Sequence, residues 1–515
     1  MPDIATISSQ DTGLAERIAN DAPVSATCTD TEPCSATDLQ EVLSERLAEE
    51  GVSYCVWKRT IELDSPLLAN KELDLLVSRG DGQRFQEILI ELGFKEGRPS
   101  ISEELPGMVH YYGCSKAGWL HLHVHFQLLI GHDLTKNYRL PLEQVFLSSS
   151  RRRGLWRIPT PECELIGLVL RMVLKHLTWD AFLFGQGTLP KAVQDELAFL
   201  MARATLASLR RLLSDNLPVL DPMLFDACLT SLQPHSATRF RMRTARKLTR
   251  RMKPYARRSA GAEIVTNFYH LTTRAVRRRL WKQLPRKRLL NGGAVIALVG
   301  GDGAGKSTAV AGLATWLSKH FETRTVHLGR PPRSGLTWLV KGFVRLARLS
   351  RFLSTEKKLG KSASIKLTEY CRLLECLCTA RDRFRTFRRA CRFASNGGLV
   401  FCDRFPLAQL RLMDGPRSNV SEETFRHFDK LMKLLVQQEI SYYRAFTSPD
   451  LLVVLRVNPN IAVLRKVDED ASAVEQRCQE VWNTSWEQSC AHVIDANQPA
   501  TDVMMELQHL VWAEL

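Results

Sequence analysis

The stretch that decides the fold is AVIALVGGDGAGKSTA, residues 294–309. Its first part, 294–299, is a continuous apolar run, as expected for a strand buried on both faces of a parallel sheet. The next part has the spacing G-x4-G-K-S, and an apolar pattern of helical period follows it over 309–320. A strand, a glycine-rich loop and a helix in this order are the context in which the spacing predicts a phosphate-binding loop, the Walker A motif.

The residue types in this loop suit a nucleotide triphosphate. Glycines let backbone N–H groups surround phosphate oxygens without side-chain clashes, and the helix N-terminus adds the positive end of its dipole. Lys306 is predicted to bridge the β- and γ-phosphates of ATP, and the Ser307 hydroxyl to bind Mg²⁺. The alternative is a degenerate loop that no longer binds nucleotide. The predicted nucleotide-binding residues are Gly300, Gly301, Asp302, Gly303, Ala304, Gly305, Lys306, Ser307 and Thr308.

Four further strand patterns follow the loop, as in a parallel α/β sheet. They are predicted at 324–328, 399–402, 451–455 and 491–496, and a last helix is predicted at 500–515. The strand at 399–402 leads into Asp403 and Arg404. At the carboxyl end of a parallel strand, which is the ligand edge of the sheet, an aspartate can hold magnesium and an arginine can bind an acceptor phosphate. A surface ion pair is the alternative.

Over 290–515 the sequence resembles the thymidylate kinase family. The matching segments are the loop G-x-D-G-x-G-K-S-T, D-R-F at 403–405, P-D-L at 449–451 followed by R-K at 465–466, and V-I-D-A at 493–496. The resemblance implies an ATP-dependent phosphotransferase of the P-loop NTPase class. It also implies a nucleoside-monophosphate-kinase-like fold, with a five-stranded parallel sheet, flanking helices and a lid that carries an arginine.

The resemblance also implies roles for individual residues. Asp302 would face the acceptor sugar, Asp403 would serve Mg²⁺, and Arg404 would serve the acceptor phosphate. The lid arginine would be Arg465 or Arg477. The implied catalytic residues are Lys306, Asp403, Arg404 and Arg465, and the implied acceptor-binding residues are Asp302, Arg404 and Arg383, the last of these meeting the acceptor base.

Two segments on the acceptor side depart from the family pattern. The family's E-P-G after the second strand is replaced by GRPPRSG at 329–335, and its S-x-x-A-Y-Q is replaced by LMDGP at 412–416. These segments help the family to hold thymidylate. The acceptor is therefore left open between a nucleoside monophosphate, a sugar and a lipid-linked group.

A second group of polar residues stands in strand patterns nearer the N-terminus. Glu72 and Asp74 are at positions i and i+2, which directs both carboxylates to one face of a strand. His121, His123 and His125 alternate in the same way on a later predicted strand. Glu72, Asp74 and His123 converge if the two strands are neighbours, and paired carboxylates can hold divalent ions over a nucleotide triphosphate.

This pattern resembles the minimal nucleotidyltransferase fold, in which a D-x-D strand is followed by a third acid on a later strand. The resemblance implies a small α+β domain and a second candidate site of Glu72, Asp74 and His123. The family's glycine-serine turn is absent, and histidines stand where the third acid belongs. Two alternatives remain: an exposed strand face without chemistry, and a zinc site on the three histidines.

At 515 residues the chain is longer than one ordinary domain. Sequence patterns divide it into a disordered leader at 1–37, the nucleotidyltransferase-like domain at 38–150, a helical region with a basic connector at 151–289, and the thymidylate-kinase-like domain at 290–515. Much of the net charge of +16 lies in the connector at 239–288, which contains one acidic residue, Glu263. Such a stretch predicts an anionic partner or a solvated helical face.

The N-terminus has no export-signal pattern, and no apolar run has the length of a membrane span. The 13 cysteines include no zinc-type C-x-x-C pair. Cys371, Cys376 and Cys378 fall in a helical pattern and are predicted to be buried thiols. We therefore expect a cytoplasmic protein with reduced cysteines.

The sequence favours an ATP- and Mg²⁺-dependent phosphotransferase whose acceptor bears a phosphate or is sugar-like. A nucleotide-gated regulator or scaffold, which binds ATP without turnover, is the alternative that the altered acceptor segments favour. A second alternative is a nucleotidyltransferase acting through Glu72 and Asp74.

Overall fold

The computed structural model describes residues 36–515 except 59–71, 100–103, 116–117, 134, 177–188, 282–285, 354–360, 408, 411, 413–414, 417–424, 467–468 and 488. These residues divide into an N-terminal unit, 36–287, and a C-terminal unit, 288–515. The predicted leader at 1–37 lies, up to residue 35, outside the described residues.

The N-terminal unit starts with α+β structure and continues as helices. Its first elements are α1 (Ala36–Glu49), β1 (Tyr54–Val56), β2 (Glu72–Val77), α2 (Gly82–Glu91), β3 (Lys95–Arg98), β4 (Met108–Ser115), β5 (Gly118–His125), β6 (Leu128–Ile130), β7 (Tyr138–Leu140), α3 (Glu143–Ser148), β8 (Arg151–Arg153) and β9 (Trp156–Ile158). The helices that follow are α4 (Pro161–His176), α5 (Lys191–Met201), α6 (Leu206–Asn216), α7 (Pro222–Leu232), α8 (Thr238–Arg251) and α9 (Ala260–Trp281).

Within this unit five strands form one sheet in the order β1-β2-β5-β4-β3. The pair β2–β5 is parallel, and the other pairs are antiparallel. Alternate residues such as Leu73, Leu75, Leu122 and Val124 point to one face, where they join an apolar core with residues of α1 and α2. The opposite face of the same strands is thereby left to the polar residues.

The helical part of the N-terminal unit shares a core with the sheet region. Helix α4 is buried along most of its length, and Val169 and Phe225 belong to the same apolar cluster as Trp57 and Leu76. This cluster therefore crosses residue 150, where the sequence patterns change from mixed to helical. The basic connector forms α8 and α9. Helix α8 buries Ala245 and Leu248 and leaves most of its arginines exposed, as a solvated basic face does.

The C-terminal unit alternates strands and helices. Its strands are β10 (Arg288–Leu289), β11 (Val295–Gly300), β12 (Thr323–His327), β13 (Leu399–Asp403), β14 (Leu451–Arg456) and β15 (Ala491–Asp495). Its helices are α10 (Lys306–Leu317), α11 (Gly335–Leu353), α12 (Lys361–Ala394), α13 (Lys430–Arg444), α14 (Pro459–Arg465), α15 (Ala471–Asn483) and α16 (Ala500–Glu514).

Five of these strands form a parallel sheet in the order β12-β13-β11-β14-β15. Strand β11 is buried at every residue because it lies in the centre, whereas β12 is largely exposed at an edge. The parallel sheet predicted from the apolar runs is confirmed, and it is consistent with a P-loop NTPase-like fold. The central position of β11 brings the ends of β13 and β14 to either side of the glycine-rich loop.

Two predictions from composition can be compared with the described residues. Cys371, Cys376 and Cys378 are buried on α12, as predicted. In the described part of the chain no helix combines the length and apolarity needed to cross a bilayer.

Candidate functional site

The glycine-rich loop connects β11 to α10, which begins at Lys306. Gly303 has a φ of 81°, which residues with a side chain rarely adopt, and an added Cβ would lie 2.9 Å from the carbonyl oxygen of Ala462. At Gly301 an added Cβ would lie 3.0 Å from Cα of Cys478. The glycines therefore allow two neighbouring segments to pack directly against the loop backbone.

Lys306 is buried in the first turn of α10 and its ammonium group remains at the loop. Its Nζ donates a hydrogen bond to the carbonyl oxygen of Gly301 at 2.6 Å. The first turn of α10 offers backbone N–H groups and the positive end of the helix dipole at the same place. A lysine, free N–H groups and a helix N-terminus together can bind a chain of phosphates.

The adjacent strand supplies a carboxylate to the loop. Asp403 ends β13 and lies opposite Leu298 in the parallel register. The Oγ atom of Ser307 donates a hydrogen bond to Oδ2 of Asp403 at 2.6 Å. Asp403 is 8% exposed, and its Oδ1 has no hydrogen-bond partner among the described residues. A hydroxyl beside a buried carboxylate with a spare oxygen is a donor set that fits Mg²⁺.

Asp302, within the loop, is a buried carboxylate between two guanidinium groups. Nη2 of Arg404 donates to its Oδ1 at 2.9 Å, and Nη1 of Arg477 lies 2.5 Å from its Oδ2. Arg404 follows β13 with a φ of 69°, a left-handed conformation that is strained for arginine and more frequent at functional sites. The structure therefore brings together Asp302, Arg404 and one of the two lid candidates.

The other lid candidate, Arg465, ends α14 beside the same loop. Its Nη1 donates hydrogen bonds to the carbonyl oxygens of Gly303 at 3.4 Å and Ala496 at 3.0 Å. Basic side chains thus outnumber acidic ones around the loop, which suits a highly charged triphosphate. The basic residues are Lys306, Arg404, Arg465 and Arg477, and the acidic residues are Asp302 and Asp403.

Arg383 lies inside the C-terminal unit and is 0% exposed. Its guanidinium donates to the carbonyl oxygens of Leu328 at 2.7 Å and Gly329 at 3.3 Å, and to the hydroxyl of Tyr443 at 2.7 Å. These bonds hold the start of the segment that departs from the family pattern. For Arg383 to meet an acceptor base, as the resemblance implies, its guanidinium would have to leave these partners.

The neighbouring Asp382 was not predicted as a functional residue, yet it holds the other end of the same segment. Its Oδ2 accepts hydrogen bonds from the backbone N–H of Ser334 at 3.0 Å and from Oγ1 of Thr337 at 2.6 Å. Burial raises the pKa of Asp382, but these hydrogen bonds outweigh burial and keep the pKa below its ordinary value. The sequence signal for such an anchor is an adjacent Asp-Arg pair within a helical pattern.

In the N-terminal unit the register of three strands aligns polar residues in rows. Glu72 of β2 lies opposite His121 of β5, and His121 lies opposite Tyr112 of β4. One row further, Asp74 lies opposite His123, which lies opposite His110. Because residues two apart on a strand share a face, all these side chains lie on the polar face of the sheet. The predicted convergence of Glu72, Asp74 and His123 is therefore observed.

Two residues on this polar face were not predicted. Lys58 follows β1, and its Nζ lies 2.5 Å from Oδ1 of Asp74 and 3.4 Å from Nε2 of His125. His110 contacts the histidines from the neighbouring strand β4, with Nδ1 3.1 Å from Nε2 of His121. The sequence signal for His110 is its i, i+2 alternation with Tyr112 in a run that directly precedes β5, as in a hairpin.

The pKa values of the groups on this face depend on burial and on one another's charges. Burial lowers the pKa of Lys58 to about 7, although the attraction of Asp74 opposes the change. Burial also raises the pKa of Asp74, but Lys58 and hydrogen bonds from His123 and His125 more than offset it, so that the pKa is well below its usual range. Burial and the nearby positive charges lower the pKa of His125.

Glu72→Gln is expected to change how acid destabilises the N-terminal unit. Burial raises the pKa of Glu72, but the hydrogen bond from His123 and the nearby imidazoles lower it from 4.5 to about 2. A carboxylate with a depressed pKa contributes stability that is present above its unfolded pKa and lost as the pH falls through its folded pKa. The difference in Tm between wild type and variant should therefore shrink as the pH falls from 4.5 to about 2.

Scanning calorimetry of the full chain at several pH values measures this difference. Glu41→Gln is the matched control, because Glu41 is exposed on α1 of the same unit and should show no such narrowing. A Tm difference for Glu72→Gln that stays constant across this pH window would contradict the role assigned to the imidazoles.

Comparisons with known proteins give partial matches. No family model matches the sequence. The chain is 28% identical over 232 residues to the uncharacterized ATP-binding protein YghR of Escherichia coli (strain K12), which covers 42% of this chain and 86% of that protein. It is 27% identical over 232 residues to the uncharacterized ATP-binding protein YghS of the same strain, which covers 43% of this chain and 93% of that protein.

Among solved structures, thymidylate kinase from Candida albicans is similar to part of the chain. The sequences are 17% identical, and the match covers 43% of this chain and 91% of the kinase. The TM-score is 0.28.

Proposed function

We propose that the C-terminal unit is an ATP- and Mg²⁺-dependent phosphotransferase that transfers the γ-phosphate to a nucleoside monophosphate or a related phosphate-bearing or sugar-like acceptor. The observation that carries the proposal is the 2.6 Å hydrogen bond between Ser307 and Asp403, which joins the phosphate loop to the end of the next parallel strand. The Oδ1 atom of Asp403 has no hydrogen-bond partner among the described residues and is a further oxygen that Mg²⁺ could use.

The loop side of the site has the groups that ATP requires. The N–H groups of the loop and of the first turn of α10 bind the phosphates, and Lys306 exchanges its bond to the Gly301 carbonyl for phosphate oxygens. Ser307 and Asp403 would hold Mg²⁺, which would supply positive charge to offset the negative charge of the phosphates. The descriptions of YghR and YghS as ATP-binding support this nucleotide-binding half of the proposal.

The acceptor side is formed by Asp302 with Arg404 and Arg477. The carboxylate of Asp302 engages both guanidinium groups. A phosphate on the acceptor competes for Arg404, because guanidinium binds phosphate and carboxylate with the same two-pronged geometry. Released from Arg404, Asp302 can accept a hydrogen bond from an acceptor hydroxyl.

Catalysis at such a site is positioning together with charge stabilisation. Lys306, Arg404 and a lid arginine, Arg465 or Arg477, surround the phosphoryl group while charge shifts to the leaving oxygen. Arg465 already lies at the loop through the Gly303 carbonyl, so a small side-chain movement brings it to the phosphates. The protein performs no covalent step in this scheme.

The test is a transfer assay with the full-length chain, γ-labelled ATP and Mg²⁺. The acceptor panel contains nucleoside monophosphates, sugars, sugar phosphates and lipid-linked sugars, and a matched reaction contains excess EDTA. We expect label in one acceptor class and none after chelation. Tight ATP binding without transfer to any acceptor would overturn the proposal in favour of a nucleotide-gated regulator. In a parallel reaction with α-labelled ATP, label in an acceptor would instead assign the activity to a nucleotidyltransferase.

A further inference from the structure

The polar face of the N-terminal sheet carries four imidazoles beside two carboxylates. We call its carboxylates and histidines the histidine face, and it consists of Glu72, Asp74, His110, His121, His123 and His125. Ring pairs are in direct contact, with 4.3 Å between the centroids of His110 and His123. Imidazoles together with carboxylates are side chains that first-row transition metals select.

Three of these side chains have donor atoms at the separation that an ion requires. One donor atom from each of Glu72, His110 and His123 lies within 4.8 Å of the other two. The Oε1 atom of Glu72 is 3.1 Å from Nδ1 of His123. Ligands about 2 Å from a tetrahedral zinc lie roughly 3.3 Å from one another, so only small side-chain adjustments are needed to accept the ion.

The two ring nitrogens of His123 have different surroundings. His123 is 8% exposed, and its Nε2 is buried without a hydrogen-bond partner among the described residues. Its Nδ1 faces the carboxylates of Glu72 and Asp74, both at 3.1 Å. An ion between Glu72 and His123 would bind Nδ1, the nitrogen that faces the carboxylates.

The second imidazole is oriented by a neighbour, as metal-binding histidines usually are. Nδ1 of His110 lies 3.1 Å from Nε2 of His121, and the ring of His121 stacks on Tyr112 with 4.4 Å between centroids. When Nδ1 of His110 donates to Nε2 of His121, Nε2 of His110 keeps its lone pair for a metal ion. His121 is therefore a positioning residue.

A second possible set, Asp74 with His123 and His125, also has donor atoms within 4.8 Å of one another. Lys58 contacts that set directly, because its Nζ lies 2.5 Å from Oδ1 of Asp74 and so engages the carboxylate oxygen that an ion would need. Glu72 instead lies at the open side of the face, with a side chain that is 34% exposed. This leaves a path for an ion and room for water in its remaining coordination positions.

We propose that Glu72, His110 and His123 bind a divalent first-row transition-metal ion of the zinc type. The two nitrogen donors favour such an ion over Mg²⁺, which prefers oxygen ligands and keeps several waters. With three protein ligands the ion retains an open position, which is the arrangement of a reactive centre rather than of a closed structural site. This inference is independent of the phosphotransferase proposal, because it concerns residues of the N-terminal unit alone.

The test is titration of the chelator-treated, full-length chain with Co²⁺, without nucleotide, followed by competition with Zn²⁺. Co²⁺ is the probe because its visible absorption reports nitrogen coordination. We expect one ion per chain, and an affinity about 100-fold weaker in both His110→Asn and Glu72→Gln. His235→Ala is the matched control, because His235 is an exposed histidine of the same unit, and it should bind Co²⁺ as the wild type does.

Several results would overturn the assignment. One is a wild-type chain that binds neither Co²⁺ nor Zn²⁺ in the titration. Another is wild-type affinity in both His110→Asn and Glu72→Gln, and a third is an equal loss in His235→Ala. Near-UV circular dichroism separates lost binding from lost folding, and Glu72→Gln keeps the side-chain shape if His110→Asn fails to fold.

Discussion

Lys306→Ala is expected to slow phosphate transfer from ATP about 10³-fold, equivalent to about 4 kcal/mol of lost transition-state stabilisation. The expected loss is large because the ammonium group is buried at the loop, where it has been removed from water and lies 2.6 Å from the Gly301 carbonyl oxygen. A charge held in place in this way stabilises the transferring phosphoryl group without first having to be reorganised. The rate of transfer to the best acceptor, at saturating ATP·Mg²⁺, measures the effect.

Lys319→Ala is the matched control for this change. Lys319 is exposed and follows the other end of the same helix, which closes at Leu317, so its removal should leave the rate unchanged. If transfer in Lys306→Ala stays near the wild-type rate, the activity does not come from the phosphate loop. Loss of activity in Glu72→Gln and Asp74→Asn instead would place the activity in the N-terminal unit.

Arg383→Ala is expected to lower the free energy of unfolding of the C-terminal unit by about 4 kcal/mol. The side chain is fully buried, and the substitution leaves the carbonyl oxygens of Leu328 and Gly329 without the guanidinium that they now accept from. It also removes a hydrogen bond to the Tyr443 hydroxyl and opens a cavity. Denaturant unfolding followed by circular dichroism, with the two units fitted as separate transitions, measures the loss.

Arg385→Ala provides the control on the same helix, because Arg385 is exposed on α12 and should change the stability by less than about 0.5 kcal/mol. The experiment also decides between two roles for Arg383. An anchoring role predicts lost stability together with a disturbed segment 328–337. A variant that keeps wild-type stability but shows a raised KM for the acceptor would instead support the contact with the acceptor base that the family resemblance implies.

The sequence by itself predicted the parallel sheet and the place of the loop on it. Continuous apolar runs mark strands buried on both faces, and β11, β13 and β14 are found where such runs occur. The loop could be located because its spacing stands between a strand and a helix, which is a local property of the chain. The sequence assigned Ser307 and Asp403 separately to Mg²⁺, and the pairing of β11 with β13 brought the two side chains into contact.

Other features were decided by long-range packing. The two lid candidates could not be separated from sequence, and the structure places both at the loop, Arg477 on Asp302 and Arg465 on the Gly303 carbonyl. The burial of Arg383 depends on how α12 and α13 meet the segment after β12, which no local pattern records. Helical spacing tells which residues share a face, but not what covers that face.

The histidine face shows the same division most clearly. Alternation along each strand determined that Glu72 and Asp74 lie on one side of β2, and that His121, His123 and His125 lie on one side of β5. Only the pairing of β2 with β5 and of β4 with β5 placed these two sets of side chains on the same face of the sheet and added His110 from a third strand. Strand pairing is set by packing between segments far apart in the chain, so the sequence determined each strand's pattern and the tertiary structure determined which side chains meet.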